Sequence, residues 1–133
     1  KYLIKKYNLQ KKIIISDALS GDLKWGAIIA SRAMVLASHG ENFGVSLVES
    51  LSLGKPVITT NKVNISNEIL KFKAGFISRN QTKQFSYILK KFDNLKNKDL
   101  IKLSKNARNC FKKNFDLSLT KNDLGSVLKK NIP

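Results

Sequence analysis

Short β-branched runs alternate with longer helical segments along most of this chain. Ile13–Ile15 and Val57–Thr60 are continuous apolar or β-branched runs. Such runs are typical of strands in a parallel sheet that is covered on both faces. Strands that alternate with helices form βαβ units, whose crossovers are right-handed. The sequence therefore predicts an α/β fold with a Rossmann-like parallel sheet and flanking helices.

Local signals set the expected bounds of the elements. Pro56 stands at the head of a strand, where it removes no interior ladder bond, and Gly54 can cap the preceding helix in the left-handed region. The predicted elements are a helix end at 1–7, strands at 12–16, 33–37, 56–60 and 75–78, and helices at 22–30, 45–53, 66–72, 82–93, 97–113 and 117–130. The last of these form a helical C-terminal tail, and we expect residues 1–133 to make a single domain.

The net charge of +16 is spread unevenly. Residues 17–68 hold four basic and five acidic side chains, whereas residues 69–133 hold sixteen basic and four acidic ones. A nucleic-acid binder concentrates basic and aromatic residues around its recognition element, but here the lysines are scattered at helical spacing. We therefore expect no nucleic-acid partner. The basic flanks are either solvated helix faces or a surface in peripheral contact with an anionic membrane.

The numbers of cysteine and histidine residues limit the kinds of disulfide and metal site that the chain can form. The single cysteine, Cys110, forms no internal disulfide and fits a reducing compartment; we expect a small buried or half-buried hydrophobe rather than a reactive thiol. One histidine, His39, and no acidic cluster give no metal-ligand set, so we expect no metal and no other cofactor. No apolar run approaches the ~20 residues of a membrane-spanning helix. The expected location is the cytoplasm, free or at the inner face of the plasma membrane.

Two acidic residues flank a strand-to-helix turn. An apolar run at 32–37 leads through a polar loop to Glu41, then to Gly44 and a helix that carries Glu49. In open α/β sheets, anionic ligands bind where a helix N-terminus meets the carboxyl end of a strand. Carboxylates repel phosphate but accept hydrogen bonds from hydroxyl groups. The pattern therefore indicates a ligand with both phosphate and sugar, which is a sugar nucleotide.

Residues 10 to 80 resemble the C-terminal domain of family 4 (group 1) retaining glycosyltransferases with the GT-B fold. The resemblance rests on the acid–seven residues–acid signature of Glu41 and Glu49 and on the ordered segments 13–15, 19–24, 38–39, 54–58, 63–65 and 68–69. It implies an N-terminally truncated GT-B C-terminal domain, the later part of a nucleotide-sugar-binding domain. The family's basic diphosphate clamp and its N-terminal acceptor domain then belong to a longer protein, and we expect this fragment alone to be inactive.

The resemblance also implies a role for each candidate residue. Glu41 is the catalytic candidate and would accept hydrogen bonds from hydroxyls of the donor sugar, although an exposed loop acid would look the same in sequence. Glu49 would hold the ribose hydroxyls, unless it is a surface glutamate. The backbone of Leu19 and the side chain of Lys24 would contact the nucleobase, but Lys24 also fits an ordinary helix-surface lysine. The donor sugar and diphosphate would be bound by Asn42, Phe43, Gly44, Val45, Ser46 and Leu47.

The activity implied is transfer of a sugar from a nucleoside-diphosphate sugar to an acceptor hydroxyl with retention at the anomeric carbon. Polysaccharide, lipopolysaccharide or glycolipid synthesis is the expected setting. A glycosidase is disfavoured, because hydrolytic carboxylates face each other about 5–9.5 Å apart across the scissile bond, and a phosphate-binding turn separates Glu41 from Glu49. The alternative is a non-catalytic module that binds sugar nucleotides or docks on membranes.

Overall fold

The computed structural model describes residues 1–118, within which three parallel strands lie in the order β1-β2-β3. The elements are α1 Tyr2–Lys6, α2 Gly21–Ala30, β1 Met34–Leu36, α3 Val45–Ser52, β2 Val57–Thr60, α4 Ser66–Phe72, β3 Gly75–Ser78, α5 Thr82–Asp93 and α6 Asn97–Asn114. Val35 pairs with Ile58, which pairs in turn with Phe76. This is the predicted α/β fold, with a parallel sheet and flanking helices.

Helices cover both faces of the sheet. On one face α6 packs against α3 and α4, and the fully buried residues of this core include Leu47, Leu51 and Ile69. On the other face α5 packs against β2 and β3. Phe76 of β3 contacts Phe92 of α5 edge-on, with 6.2 Å between ring centroids. Its neighbour Ile77 packs against the α3–α4–α6 core, as expected because successive strand side chains point to opposite faces.

The strand predicted at 12–16 is wrong. Residues 13–20 form neither helix nor strand, and the side chain of Ile14 is 93% exposed. A strand needs a neighbour for its N–H and C=O groups. Among the described residues, β1 pairs with β2 and β2 with β3, and none of them pairs with residues 13–15. This segment therefore forms no strand despite its β propensity.

The remaining bounds agree with the sequence prediction to within a residue or so. The helix predicted at 117–130 lies almost entirely outside the described residues. Gly54 has the predicted left-handed conformation, with φ 67°. The N–H of Gly54 donates to Leu51 O at 3.0 Å and that of Lys55 to Ser50 O at 2.9 Å, which is the hydrogen-bond pattern of a Schellman motif. This cap ends α3 and turns the chain directly into β2.

Candidate functional site

The turn between β1 and α3 depends on Gly44. Gly44 is the N-cap of α3 and lies in the left-handed region, with φ 70° and ψ 58°. A Cβ on this residue would lie 3.3 Å from side-chain atoms of both Leu47 and Val63. A residue with a side chain would therefore be strained in conformation and tightly packed. Glycine at this position lets α3 begin close to the loop that carries Glu41.

The N-terminus of α3 presents backbone donors. The N–H groups of Leu47 and Val48 donate to the carbonyl of Gly44 at 2.9 and 3.2 Å. Within residues 1–118 the N–H groups of Val45 and Ser46 have no backbone or side-chain acceptor. Free N–H groups at the positive end of a helix bind anions. The N–H groups of Asn42, Phe43 and Gly44 likewise have no acceptor among residues 1–118, whereas the Leu47 amide is already engaged. The ligand roles of residues 42–47 stay predictions.

Glu41 is held through its backbone and leaves its carboxylate exposed. It forms a parallel bridge with the buried Val63: the Glu41 N–H donates to Lys62 O at 3.1 Å, and the Asn64 N–H donates to Glu41 O at 3.2 Å. Upstream in the loop, Thr60 Oγ1 donates to Ser38 O at 2.6 Å. The segment after β2 therefore fixes the loop and places the acid of Glu41 at the carboxyl end of the sheet. Its catalytic role stays a prediction.

An aromatic contact supports the same loop from α6. Phe43, which is 48% exposed, meets Phe115 edge-on with 5.9 Å between ring centroids. Phe115 is the C-cap of α6. Phe115 is not recognisable from sequence as part of this region, because 72 residues separate it from Phe43 and no local pattern connects them. The end of α6 thus helps to position the turn.

Glu49 and Lys24 form an ion pair between α3 and α2. Lys24 Nζ lies 2.6 Å from Glu49 Oε1 and 4.5 Å from the centroid of the Trp25 ring. The side chains are 33% and 22% exposed, for Lys24 and Glu49 respectively. The charged end of Lys24 thus contacts a carboxylate and lies near an aromatic ring, and its nucleobase role stays a prediction.

A cavity of about 230 Å³ lies beside this ion pair. Four of the residues predicted to bind the donor line it together, namely Leu19, Lys24, Ser46 and Glu49. Apolar and small residues complete the lining: Ala27, Ile28, Ser31, Ala33 and Met34. Small-molecule sites commonly combine apolar walls with a few convergent polar groups. Glu41 does not line this cavity, whereas Glu49 does.

Glu68 and Cys110 lie away from this turn, between α4 and α6. Burial raises the pKa of Cys110 to about 11, and the negative charge of Glu68 adds to the effect. The Sγ of Cys110 contacts the carbonyl of Glu68 at 3.7 Å. Cys110 is fully buried, as the sequence predicted.

The sequence profile described as "Glycosyl transferases group 1" matches residues 1–110. The chain belongs to this family. No curated protein matches its sequence. Among solved structures, the group 1 chain is similar to a sucrose-phosphate synthase from Thermosynechococcus elongatus, with a TM-score of 0.79 and 18% sequence identity. The match covers 97% of this chain and 32% of that chain. At this identity the likeness shows a shared fold, the Rossmann-like domain of GT-B proteins.

Two further observations describe this group 1 chain. Across residues 1–118, no group of three or more His, Cys, Asp and Glu side chains is placed to hold a metal ion. Over the same residues, no helix combines the length and the apolar character needed to cross a bilayer.

Proposed function

We propose that this domain binds the sugar donor of a family 4 retaining glycosyltransferase. The donor is a nucleoside-diphosphate sugar, and the acceptor is a hydroxyl group in polysaccharide, lipopolysaccharide or glycolipid synthesis. One observation carries the proposal. The amides of Val45 and Ser46, which have no acceptor among residues 1–118, stand in the chain between Glu41 and Glu49, and Ser46 lines the same cavity as Glu49. Membership of the group 1 family supports glycosyl transfer in general.

Each part of the donor has a matching feature along this turn. The diphosphate takes the amides of Val45 and Ser46, where the positive end of α3 favours negative charge. The nucleoside lies on the cavity side, with ribose hydroxyls donating to Glu49. The sugar lies toward Glu41, whose exposed carboxylate accepts hydrogen bonds from sugar hydroxyls. From Glu41 through Val45 and Ser46 to Glu49, the turn therefore follows the order of sugar, diphosphate and ribose in the donor.

Retention is explained by attack from the face that the diphosphate leaves. The acceptor oxygen forms the new bond to the anomeric carbon while the bond to the diphosphate oxygen breaks. The proton of the acceptor hydroxyl moves to the departing diphosphate. No protein nucleophile is needed, so the protein contributes orientation and stabilisation of the charge that develops. Helix amides provide that stabilisation for the diphosphate, and the proposal requires no metal.

The test is binding and turnover by the full-length protein. Thermal shifts are measured with a panel of nucleoside-diphosphate sugars, with sugar 1-phosphates as controls that lack the nucleoside. We expect stabilisation by one or more members of the panel and none by the sugar phosphates at the same concentration. Absence of any shift across the panel would overturn the proposal. Turnover that EDTA abolishes and Mn²⁺ or Mg²⁺ restores would overturn its metal-free part.

A further inference from the structure

The outward face of helix α6 carries charge of one sign. At about 100° per residue, the positions opposite the buried Ala107 form a single stripe along the helix. Ile101 and Asn109 belong to this stripe, and both are exposed. The acid of α6, Asp99, lies outside it, about 100° around the axis from the lysine before it. The stripe is otherwise made of exposed lysines, which form the basic face of α6: Lys98, Lys102, Lys105, Lys112 and Lys113.

The charges of the basic face are not neutralised within the described part of the chain. Among residues 1–118, no ion pair includes a lysine of α6. Lys98 and Lys102 are four residues apart, and Lys102 and Lys105 are three apart, so these like charges are neighbours on the helix surface. Such pairs destabilise a helix, whereas acids at the same spacing would stabilise it. An anionic partner would therefore relieve a repulsion that is built into this face.

The form of the basic face fits a flat anionic surface. The helix rises about 21 Å from Lys98 to Lys112, and the lysines project from one side of it. Lysine is a hydrated point charge on a flexible stem and lacks the planar fork with which arginine binds a single phosphate. Ile101, which is 57% exposed, adds apolar surface among the lysines. Grooves for single-stranded nucleic acid add aromatic side chains on which bases stack, and this face has none.

We propose that the basic face of α6 docks the protein on an anionic lipid bilayer. A lysine near such a surface contributes about fivefold in affinity, and several lysines on one side of a helix can approach the surface together. None of these lysines lines the cavity beside Glu49, so docking and donor binding use different residues. The inference goes beyond the proposed function and does not depend on it.

Helix α5 provides a matched comparison within the same chain. It packs on the other face of the sheet and carries three exposed lysines of its own, Lys83, Lys90 and Lys91. Removing these three charges lowers the net charge of the protein as much as removing three from α6. It leaves the basic face intact, however, because α5 and α6 lie on opposite sides of the sheet. The pair of variants therefore separates a docking surface from the effect of net charge.

Sedimentation of the full-length protein with lipid vesicles tests the proposal. Vesicles of phosphatidylcholine alone are compared with vesicles of phosphatidylcholine and phosphatidylglycerol. We expect binding to the anionic vesicles only. Raising the salt concentration from about 0.1 M to about 1 M should abolish it, because the Debye length falls from about 10 Å to about 3 Å.

Two triple variants then locate the surface. Lys98→Gln with Lys102→Gln and Lys105→Gln should weaken binding to anionic vesicles about a hundredfold, at about fivefold for each lysine. The α5 variant, with the same change at all three of its exposed lysines, should weaken binding by less than about threefold, since screened charges far from the bilayer contribute little. Glutamine has a helix propensity close to that of lysine, so both variants should fold, and melting curves check this.

Each other outcome overturns the proposal. Failure of the wild-type protein to bind anionic vesicles does so, as does equal binding to vesicles of phosphatidylcholine alone. Equal losses in the two folded triple variants would show that net charge, and not the basic face, is responsible. Tighter binding of a DNA oligonucleotide than of anionic vesicles at the same salt concentration would assign the face to nucleic acid. None of these results bears on the proposed function, because donor binding is measured separately without lipid.

Discussion

The two sides of helix α3 differ in burial and in the residues that they contact. One side carries Leu47, Ser50 and Leu51, which are fully buried beneath α6 and against the sheet. The other side carries Val45, which is 61% exposed, and Glu49, which reaches across to α2. One helix of eight residues therefore both packs into the core and borders the candidate site. Packing of the apolar side fixes the position of the helix and therefore the position of its exposed residues.

The two sides are also held by different forces. Apolar burial is non-directional and adds up over area, so the buried side contributes mainly to stability. The other side of α3 is held chiefly by the ion pair of Glu49 with Lys24, and the loop before α3 is held by the bridge of Glu41 with Val63. Substitutions on the buried side should change the free energy of unfolding, and substitutions on the ligand side should change binding.

The largest effect is expected for Leu51→Ala on the buried side. The side chain is fully buried, so its loss removes apolar contacts and leaves a cavity, at a cost of about 2–5 kcal/mol. Val45→Ala in the same helix is the matched control, and at an exposed position it should change stability by less than about 0.5 kcal/mol. Urea unfolding measures both. Similar losses in the two variants would show that the sides are not distinct.

Two glycines should respond to alanine with opposite signs. At Gly75 in β3, a Cβ would lie 1.9 Å from the carbonyl oxygen of Val57, so the β2–β3 pairing must shift and stability should fall by about 1–3 kcal/mol or more. At Gly26 in α2 a Cβ meets nothing within 4 Å, and alanine should stabilise by about 0.4–1 kcal/mol. Thermal unfolding of both variants checks the signs. Stabilisation by Gly75→Ala would contradict the close approach of these strands.

Cys110 tests the packing between α4 and α6. Its pKa is raised from 9.0 to about 11, chiefly by burial, so the folded state favours the neutral thiol. This contribution to stability is complete below pH 9 and is lost as pH rises from 9 through 11, because the unfolded chain then releases its proton first. Wild-type protein should lose unfolding free energy more steeply than Cys110→Ala across that window.

The same cysteine should react slowly with a thiol reagent in the native state. At pH 7 the thiolate, which is the reactive form, is a negligible fraction, and the side chain is fully buried. Labelling by DTNB should be complete only after denaturation. Rapid labelling of native protein would contradict the buried environment given to Cys110.

Local signals in the sequence predicted most of the fold, and contacts distant in sequence account for what was missed. The bounds of α4, β3 and α5 agree with prediction, because glycine and serine residues and the spacing of apolar residues indicate these bounds in the local sequence. Ile13–Ile15 has the composition of a strand, yet a strand requires a partner, which composition does not reveal. Likewise, 25 residues separate Lys24 from Glu49, so their pairing depends on how α2 lies against α3.

In the candidate site, too, local features could be predicted from the sequence and contacts between distant residues could not. The turn with Glu41, Gly44 and Glu49 was recognisable because its residues are close in sequence and their spacing is informative. The bridge of Glu41 to Val63 and the contact of Phe43 with Phe115 were not, since each joins the turn to a residue that is distant in the sequence. The distant contacts that position a site are therefore harder to predict than the residues of the site itself.

The central claim is that the α3 turn binds the nucleotide at Glu49 and the reacting sugar at Glu41. Titration of the full-length protein with its nucleoside diphosphate, for wild type, Glu49→Ala and Glu41→Gln, tests it most directly. Glu49→Ala should weaken binding roughly ten- to a hundred-fold, since a hydrogen bond to a charged group is lost. Glu41→Gln should leave that affinity unchanged and lower turnover strongly. Unchanged nucleotide affinity in folded Glu49→Ala would contradict the account.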